Sequence, residues 1–521
     1  MALTSWTIQP TEWADRPGRQ TWKDGLARYR SPSRAMGAGR GGTRDAMPNA
    51  DPPRPAERSW WLEEALALPE FAGPQAPPLD HDTTADVVIL GGGYTGMWTA
   101  WFLKERQPDL DVVLLESDIC GGGPSGRNGG FCDGWWEKIR DVRDTYGDAD
   151  ALELLMTCGR APTEIGTWCR ANGIDAWFRH GGDLAVATND RHEGAWDGSL
   201  EAARALGVED EYQILTAGEV QQRCASPRFG SGVLIADAAT VHPARLARGL
   251  RRLLIENGVR IFERTTVTRV GMGARVTAET PNGSVRAADA VLGLGAWATW
   301  WRAFKPRLTL RGSYMVVTAP APDRIQALGW TGGEAIRDLR SSIHYARTTP
   351  DGRIALGLGG LQPNLARRID HRYDYEPRYA RRVADDLSRM FPSFEDVPIE
   401  CAWGGPINVS GFTMPFFGTL GRGNVHYGLG FTGNGVGPSH LAGKILAALA
   451  LHAEDGFTRL AVVTRRPKRF PPEPFRSPGA FLVNAAIRRK DDREDAGRRV
   501  GALTRAIARI PRRLGYNLGP R

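Results

Sequence analysis

The chain has 521 residues, 41% of them hydrophobic and 24% charged, and its 67 Lys and Arg exceed its 59 Asp and Glu for a formal net charge of +8. This composition fits a soluble globular chain of several units with a large core and excludes fibrous or wholly disordered classes. There is no apolar run of membrane-spanning length and no apolar signal core at the N-terminus. The six cysteines have no C-x-x-C or zinc-like spacing, so free thiols, no metal and a cytoplasmic setting are expected.

Residues 1–57, rich in Gly, Pro, Arg and Ser, are expected to be a disordered extension. An aromatic segment starts at Ser59-Trp60-Trp61-Leu62, and GPQAPPLD (73–80) reads as a linker. Residues 85–116 then read as strand, glycine turn, helix, strand and acid. Gly91, Gly93 and Gly96 fill the three places of G-x-G-x-x-G, after the apolar run 87–90 and before a helix opening at Met97. The first glycine permits the turn, the second lets backbone approach a pyrophosphate, and the third lets helix pack on strand. The helix N-terminus offers N–H groups to phosphate, and Glu116, at the end of the second strand, can accept ribose hydroxyls. A dinucleotide site is therefore expected.

The segment 119–131, ICGGGPSGRNGGF, is too glycine-rich for a helix or strand and suits backbone lying against a flat or charged ligand. Residues 145–230 read as mainly helical, with a strand pair near GGDLAVAT. A helix followed by strands starts at Val241, and 288–298 reads as a buried strand entering a turn. Alternation over 308–360 predicts an antiparallel sheet, 375–393 a helix, 403–418 a loop-rich return, and 425–451 a strand, glycine turn and long apolar helix. In the tail, Val500, Leu503, Ile507, Ile510 and Leu514 recur at helical spacing among arginines. That pattern suits a basic helix lying on an anionic membrane, or one docked on the body of the protein.

Together, GGGYTGMWTAWFL (91–103), VVLLE (112–116), GGGPSGRNGGF (121–131), WGGPI (403–407) and GLGFTGNGVGPSHLAGK (428–444) resemble the FAD-dependent oxidoreductases of the D-amino-acid/glycine/sarcosine oxidase family, in its gamma-glutamylputrescine-oxidase-like branch. The resemblance implies an α/β fold: a Rossmann-like FAD-binding domain with a second, mixed-sheet substrate domain. The FAD-binding parts would be 58–140, 235–304 and 400–455, the substrate parts 141–234 and 305–399, with 456–521 a basic C-terminal tail. It places Gly91, Gly93, Tyr94, Thr95 and Gly96 at the pyrophosphate and Glu116 at the ribose. Ser125, Gly126, Arg127, Asn128, Gly129 and Gly130 would lie on the flavin side, and Val267 would meet the adenine through its backbone. Gly404 would bind the cofactor, and the loop of Gly430, Phe431, Thr432, Gly433, Gly435 and Val436 would close over the isoalloxazine ring.

The implied reaction is oxidation of the C–N bond of an amine or amino acid to an imine, with oxygen or a quinone or other carrier as electron acceptor. Tyr345 and Arg347 would face substrate, Arg347 as a carboxylate clamp or merely as a strand charge. Arg127 would partner flavin or substrate, or serve structure alone. Trp135 and Trp136 would wall the pocket or fill the core. Ala355 stands where sarcosine-oxidase-like members carry a lysine linked to oxygen reactivity, and Cys401 resembles a position of covalent flavin attachment. A flavin monooxygenase using NAD(P)H and a non-catalytic flavin-binding protein are the alternatives. No aromatic-plus-basic pattern points to nucleic acid.

Overall fold

The structure, a computed structural model, describes residues 5–7, 52–361 and 368–518, so most of the expected disordered extension lies outside the described residues. The short apolar runs become parallel strands because neighbours cover both of their faces. Thr83–Leu90 pairs in parallel with Val112–Leu115 on one side and Gly283–Leu292 on the other. Arg260–Phe262 extends the sheet beyond Val112–Leu115. Gly283–Leu292 also takes Val425–Leu429 in parallel and Val276–Thr280 antiparallel. Arg269–Met272 follows, and Ser5–Thr7 pairs with it at the edge.

Helix Tyr94–Arg106 links the first two strands and packs on helix Val436–Ala450. The second helix is apolar nearly all round because it is enclosed. Gly443 permits the approach, since a Cβ there would lie 2.6 Å from the Trp98 Cβ.

A second sheet runs, in spatial order, Ile399–Ser410, Leu308–Thr318, Ile354–Leu361, His344–Thr348, Ala335–Asp338, Asp183–Val186, Gly232–Ile235 and Tyr212–Leu215. All its pairings are antiparallel except that of Ala335–Asp338 with Asp183–Val186. Here one expectation is corrected. Residues 403–410 are not a loop-rich return but most of a twelve-residue strand, so a boundary at 400 cuts an element of the second sheet. Gly404, Gly405 and Pro406 argue against a strand locally. An edge position tolerates the proline, and Gly404 makes room for the Tyr314 ring, which a Cβ would meet at 2.8 Å. The outer side of this edge is partly covered by residues 54–56: the Ala402 N–H donates to the Arg54 carbonyl at 2.8 Å and the Ala56 N–H to the Ala402 carbonyl at 2.9 Å.

Helix Pro243–Glu256 carries three inward arginines. Arg248 and Arg251 both bond the buried Glu263 carboxylate, at 3.1 and 2.8 Å, and donate to the carbonyls of Phe71, Ala72 and Pro74. Glu263 also accepts from the Cys120 N–H at 2.8 Å, so this cluster anchors the glycine-rich loop.

The tail docks on the body. Helix Arg476–Asp495 is held by Arg476 on the Leu308 carbonyl (2.6 Å), by Asp491 accepting from the Ser342 N–H (3.0 Å), and by Asp495 on Arg340 (2.6 Å). Val483, Ala486 and Ile487 pack with Ala508 and Ile507. Val500 is buried, while Leu503 and Leu514 stay 74% and 56% exposed.

Candidate functional site

Three glycines meet at the first turn. A Cβ on Gly96 would lie 2.0 Å from the Gly91 carbonyl oxygen, and one on Gly91 (φ +108°) 2.6 Å from the Gly293 carbonyl oxygen. Helix Tyr94–Arg106 therefore starts directly over the strand ends, where its first-turn N–H groups lack helical acceptors. The Tyr94 N–H donates to Ser125 Oγ at 2.8 Å, tying this turn to the second glycine loop. The Glu116 carboxylate accepts from the Gly92 and Asp118 N–H groups at 2.7 and 2.9 Å, which orients it at the rim, and burial pushes its pKa up.

One continuous cavity of ≈ 2910 Å³ runs from this turn across both sheets to the tail. Small-ligand pockets span about 300–1,000 Å³, so the space admits a long cofactor and a substrate together. Of the expected cofactor residues, Gly91, Gly93, Tyr94, Thr95, Glu116, Ser125, Arg127, Asn128, Gly129, Val267, Phe431, Thr432, Gly433, Gly435 and Val436 line it. Five do not line it and instead shape its wall. Gly96 packs on Gly91, Gly126 under Leu62, Gly130 against the Val241 carbonyl, Gly404 against Tyr314 and Gly430 against Phe416.

The far loop is fixed as firmly. Gly430, Thr432 and Gly433 adopt left-handed backbone (φ +88°, +57° and +87°). The Thr432 N–H donates to the Asn408 carbonyl at 3.1 Å, and Asn434 Nδ2 donates to Glu137 Oε1 at 2.6 Å. Helix Val436–Ala450 begins here, so a second helix N-terminus faces the cavity. Two helix starts, a cradle that any Cβ would fill and a rim carboxylate fit FAD.

The second sheet lines the cavity with Arg311, Ser313, Tyr345, Gly359, Gly360 and Ile407. Tyr345 Oη and Ser313 Oγ lie 2.6 Å apart, the ring rests on Gly129, and burial pushes the phenol up to about 12. Arg127 pairs with Asp374 and donates to the Gly122 carbonyl at 2.8 Å.

Arg347 is corrected. It does not line the cavity but lies buried against the Trp61 ring, with Nη1 on the Val241 carbonyl. Trp135, Trp136, Ala355 and Cys401 are core residues outside the lining, and burial pushes the Cys401 thiol up to about 12.

Several lining residues escaped the sequence reading. Asp133, Glu137, Lys138 and Arg337 form a half-buried charge cluster beside Asn434. Burial first, then the charge of Glu137, pushes the Asp133 carboxyl well above the carboxylate range. Lys138 and Arg337 hold Glu137 below it against the effect of burial. The tail residues Ile487, Lys490, Arg498, Arg505 and Arg509 also line the cavity. Nothing local marks any of these, because only tertiary packing brings them together.

The model of the DAO family, FAD dependent oxidoreductase, matches residues 86–449. Gamma-glutamylputrescine oxidoreductase of Escherichia coli (strain K12) is 29% identical over 394 residues, 75% of this chain and 89% of that protein. Probable oxidoreductase OrdL of Rhizobium meliloti (strain 1021) is 27% identical over 405 residues, 75% and 88% of the two chains. Glycine oxidase from Geobacillus kaustophilus shares the fold with a TM-score of 0.59 at 20% identity, covering 74% of this chain and 99% of that one. L-Proline dehydrogenase from P. horikoshii does so with a TM-score of 0.58 at 18% identity, covering 73% and 96%.

Proposed function

The chain belongs to the DAO family of FAD-dependent oxidoreductases, and from that premise we propose that it oxidises the C–N bond of an amine or amino acid to an imine, which water hydrolyses. The observation that carries this reading is the single cavity joining the Gly91–Tyr94 turn, the 430–436 loop and a sheet wall bearing Ser313 and Tyr345. The turn and Glu116 would hold the nucleotide end of FAD, and the loop before Val436 would hold its ring end. Bound FAD supplies the two-electron acceptor.

The protein orients the substrate. The Ser313–Tyr345 hydroxyl pair sets the amine against the ring-side wall, and the Asp133–Glu137 pair holds a proton near Asn434. Cys401 lies in the core, so the cofactor is held without a sulfur tether. The test is anaerobic titration of the yellow enzyme with polyamines, N-methyl amino acids, D-amino acids and NADPH. Bleaching by a member of the amine panel, and not by NADPH, is expected; bleaching by NADPH alone overturns the reading.

A second reading concerns location. No helix of the described residues is long and apolar enough to cross a membrane. Yet Phe475, Phe481, Leu482, Leu503, Ile510 and Leu514, all on the tail, are exposed among arginines. They favour peripheral contact of a cytoplasmic enzyme with an anionic bilayer. Co-sedimentation with anionic vesicles that survives Leu503→Asp/Leu514→Asp removes that reading.

A further inference from the structure

Away from the cavity, three side chains with metal-binding atoms converge where the parallel sheet meets the far end of helix Val436–Ala450. Asp289 lies on strand Gly283–Leu292 and His426 on strand Val425–Leu429. His426 stands opposite Val291, two residues beyond Asp289, so the two side chains share one face of the sheet. The helix packs on both strands, and His452 follows its last turn. The Nε2 atoms of His426 and His452 lie 2.9 and 3.1 Å from Asp289 Oδ1, and the three ligand atoms fall within 4.8 Å of one another. None of the three residues lines the large cavity. The helix runs 15 residues, about 22 Å, from the 430–436 loop to this cluster.

Each ligand is fixed by its own backbone. Two sit on paired strands. His452 is the left-handed residue (φ +52°) of the turn that ends the helix: its N–H donates to the Leu449 carbonyl at 3.1 Å, and that of Ala453 to the Ala448 carbonyl at 2.9 Å. Glycine is the usual occupant of such a position, because a Cβ is strained there. An imidazole occupies it here and turns back onto the sheet, its ring 5.8 Å from that of His426.

The carboxylate lacks a permanent counter-charge. Asp289 is 7% exposed, and among the described residues neither Lys nor Arg pairs with it; its ion-pair partners are the two imidazoles. Buried carboxylates elsewhere meet guanidinium groups, as Glu263 meets Arg248 and Arg251, and Asp183 meets Arg337. Imidazole supplies positive charge only when protonated, whereas a bound cation supplies it always. The last turn of the helix carries no basic residue, and its negative end favours a cation. The other nitrogen of His426, Nδ1, is buried without a partner among the described residues, so the polar contact of the ring is confined to the side of the cluster.

We propose that Asp289, His426 and His452 bind a zinc ion that clamps the end of helix Val436–Ala450 to the sheet. Two imidazoles and a carboxylate are a zinc donor set, with bonds of about 2.0–2.2 Å. Tetrahedral bonds of that length place neighbouring ligand atoms about 3.3–3.5 Å apart. The 2.9 and 3.1 Å separations therefore need to open by only a few tenths of an ångström. Water takes the fourth position, since the His452 side chain, 62% exposed, leaves the cluster open to solvent. The first two ligands are 137 positions apart, so no local Cys/His spacing announces the site, and the expectation of no metal rested on such spacing. The site is independent of the C–N reading.

The test uses the flavin-loaded enzyme, stripped with a chelator and dialysed, with Zn2+ alone as the probe. Calorimetric titration should show about one Zn2+ bound per chain. X-ray absorption of the zinc-loaded protein should show nitrogen and oxygen neighbours at about 2.0–2.2 Å, with imidazole scattering and no sulfur. Asp289→Asn and His452→Gly should each weaken binding at least about tenfold. Zn2+ should raise the melting temperature of the wild type and leave that of His452→Gly unmoved. Glycine suits the left-handed backbone at position 452, so the variant stays folded and its loss of zinc reads the ligand alone. A wild type that binds no zinc, a sulfur neighbour in the absorption spectrum, or binding unchanged in both variants overturns the proposal.

Discussion

Single atoms decide whether the nucleotide end of the site exists. The Gly96 Cα faces the Gly91 carbonyl so closely that a Cβ would stand 2.0 Å from its oxygen, and that oxygen belongs to backbone with no rotamer to yield. Gly96→Ala should therefore lift the helix start off the turn and leave a folded, colourless protein whose flavin-to-protein ratio drops at least about tenfold. Retained colour at wild-type ratio would contradict the cradle. The three glycines and Glu116 were legible in sequence because the turn needs backbone, and backbone needs are written locally. Arg347 was misread for the opposite reason. It shares a strand with Tyr345, but only the packing of Trp61 and Val241 decides that one residue meets open space and the other does not.

Helices show where pattern reading fails. The helix expected from Val241 is present as Pro243–Glu256, but its arginines Arg245, Arg248 and Arg251 point inward because Glu64 and Glu263 wait for them. A buried charge is legible only when its partner is known. Strand Ile399–Ser410 was hidden likewise, by glycines and a proline that an edge tolerates.

Helix Val436–Ala450 was legible from its apolar run, and it carries a pH dependence. His440 packs edge-on to Trp98 at 4.7 Å and Phe102 at 5.0 Å, and burial, then Lys444, pushes its pKa down to about 3. The folded imidazole stays neutral where the unfolded one, near 6.5, takes a proton. Between about pH 6.5 and 3 the unfolded state holds more protons, so stability falls as pH falls, by up to about 1.4 kcal/mol per unit from this group. His440→Gln should flatten that slope in denaturant titrations run across the window. An unchanged slope would assign the acid sensitivity elsewhere.

At the scale of the molecule, the parallel sheet and its glycine turns were readable, whereas the joint between the sheets and the tail was not. Contacts such as Asp491 with Ser342 or Asn517 with Gly411 span more than a hundred residues and follow no period. The cavity that collects both sheets and the tail has a thermodynamic consequence: its occupant acts as a shared staple. A ligand present at a hundred times its dissociation constant adds about 2.7 kcal/mol to the state that binds it. Here that gain is available only while the sheets stay together, so it rewards their joint survival and not that of either one. Stripped of flavin, the protein should melt in calorimetry at a lower temperature and as two resolved transitions. Resupplied with it, the two should merge into one, and a single unshifted transition in both states would mean the halves cohere without their guest.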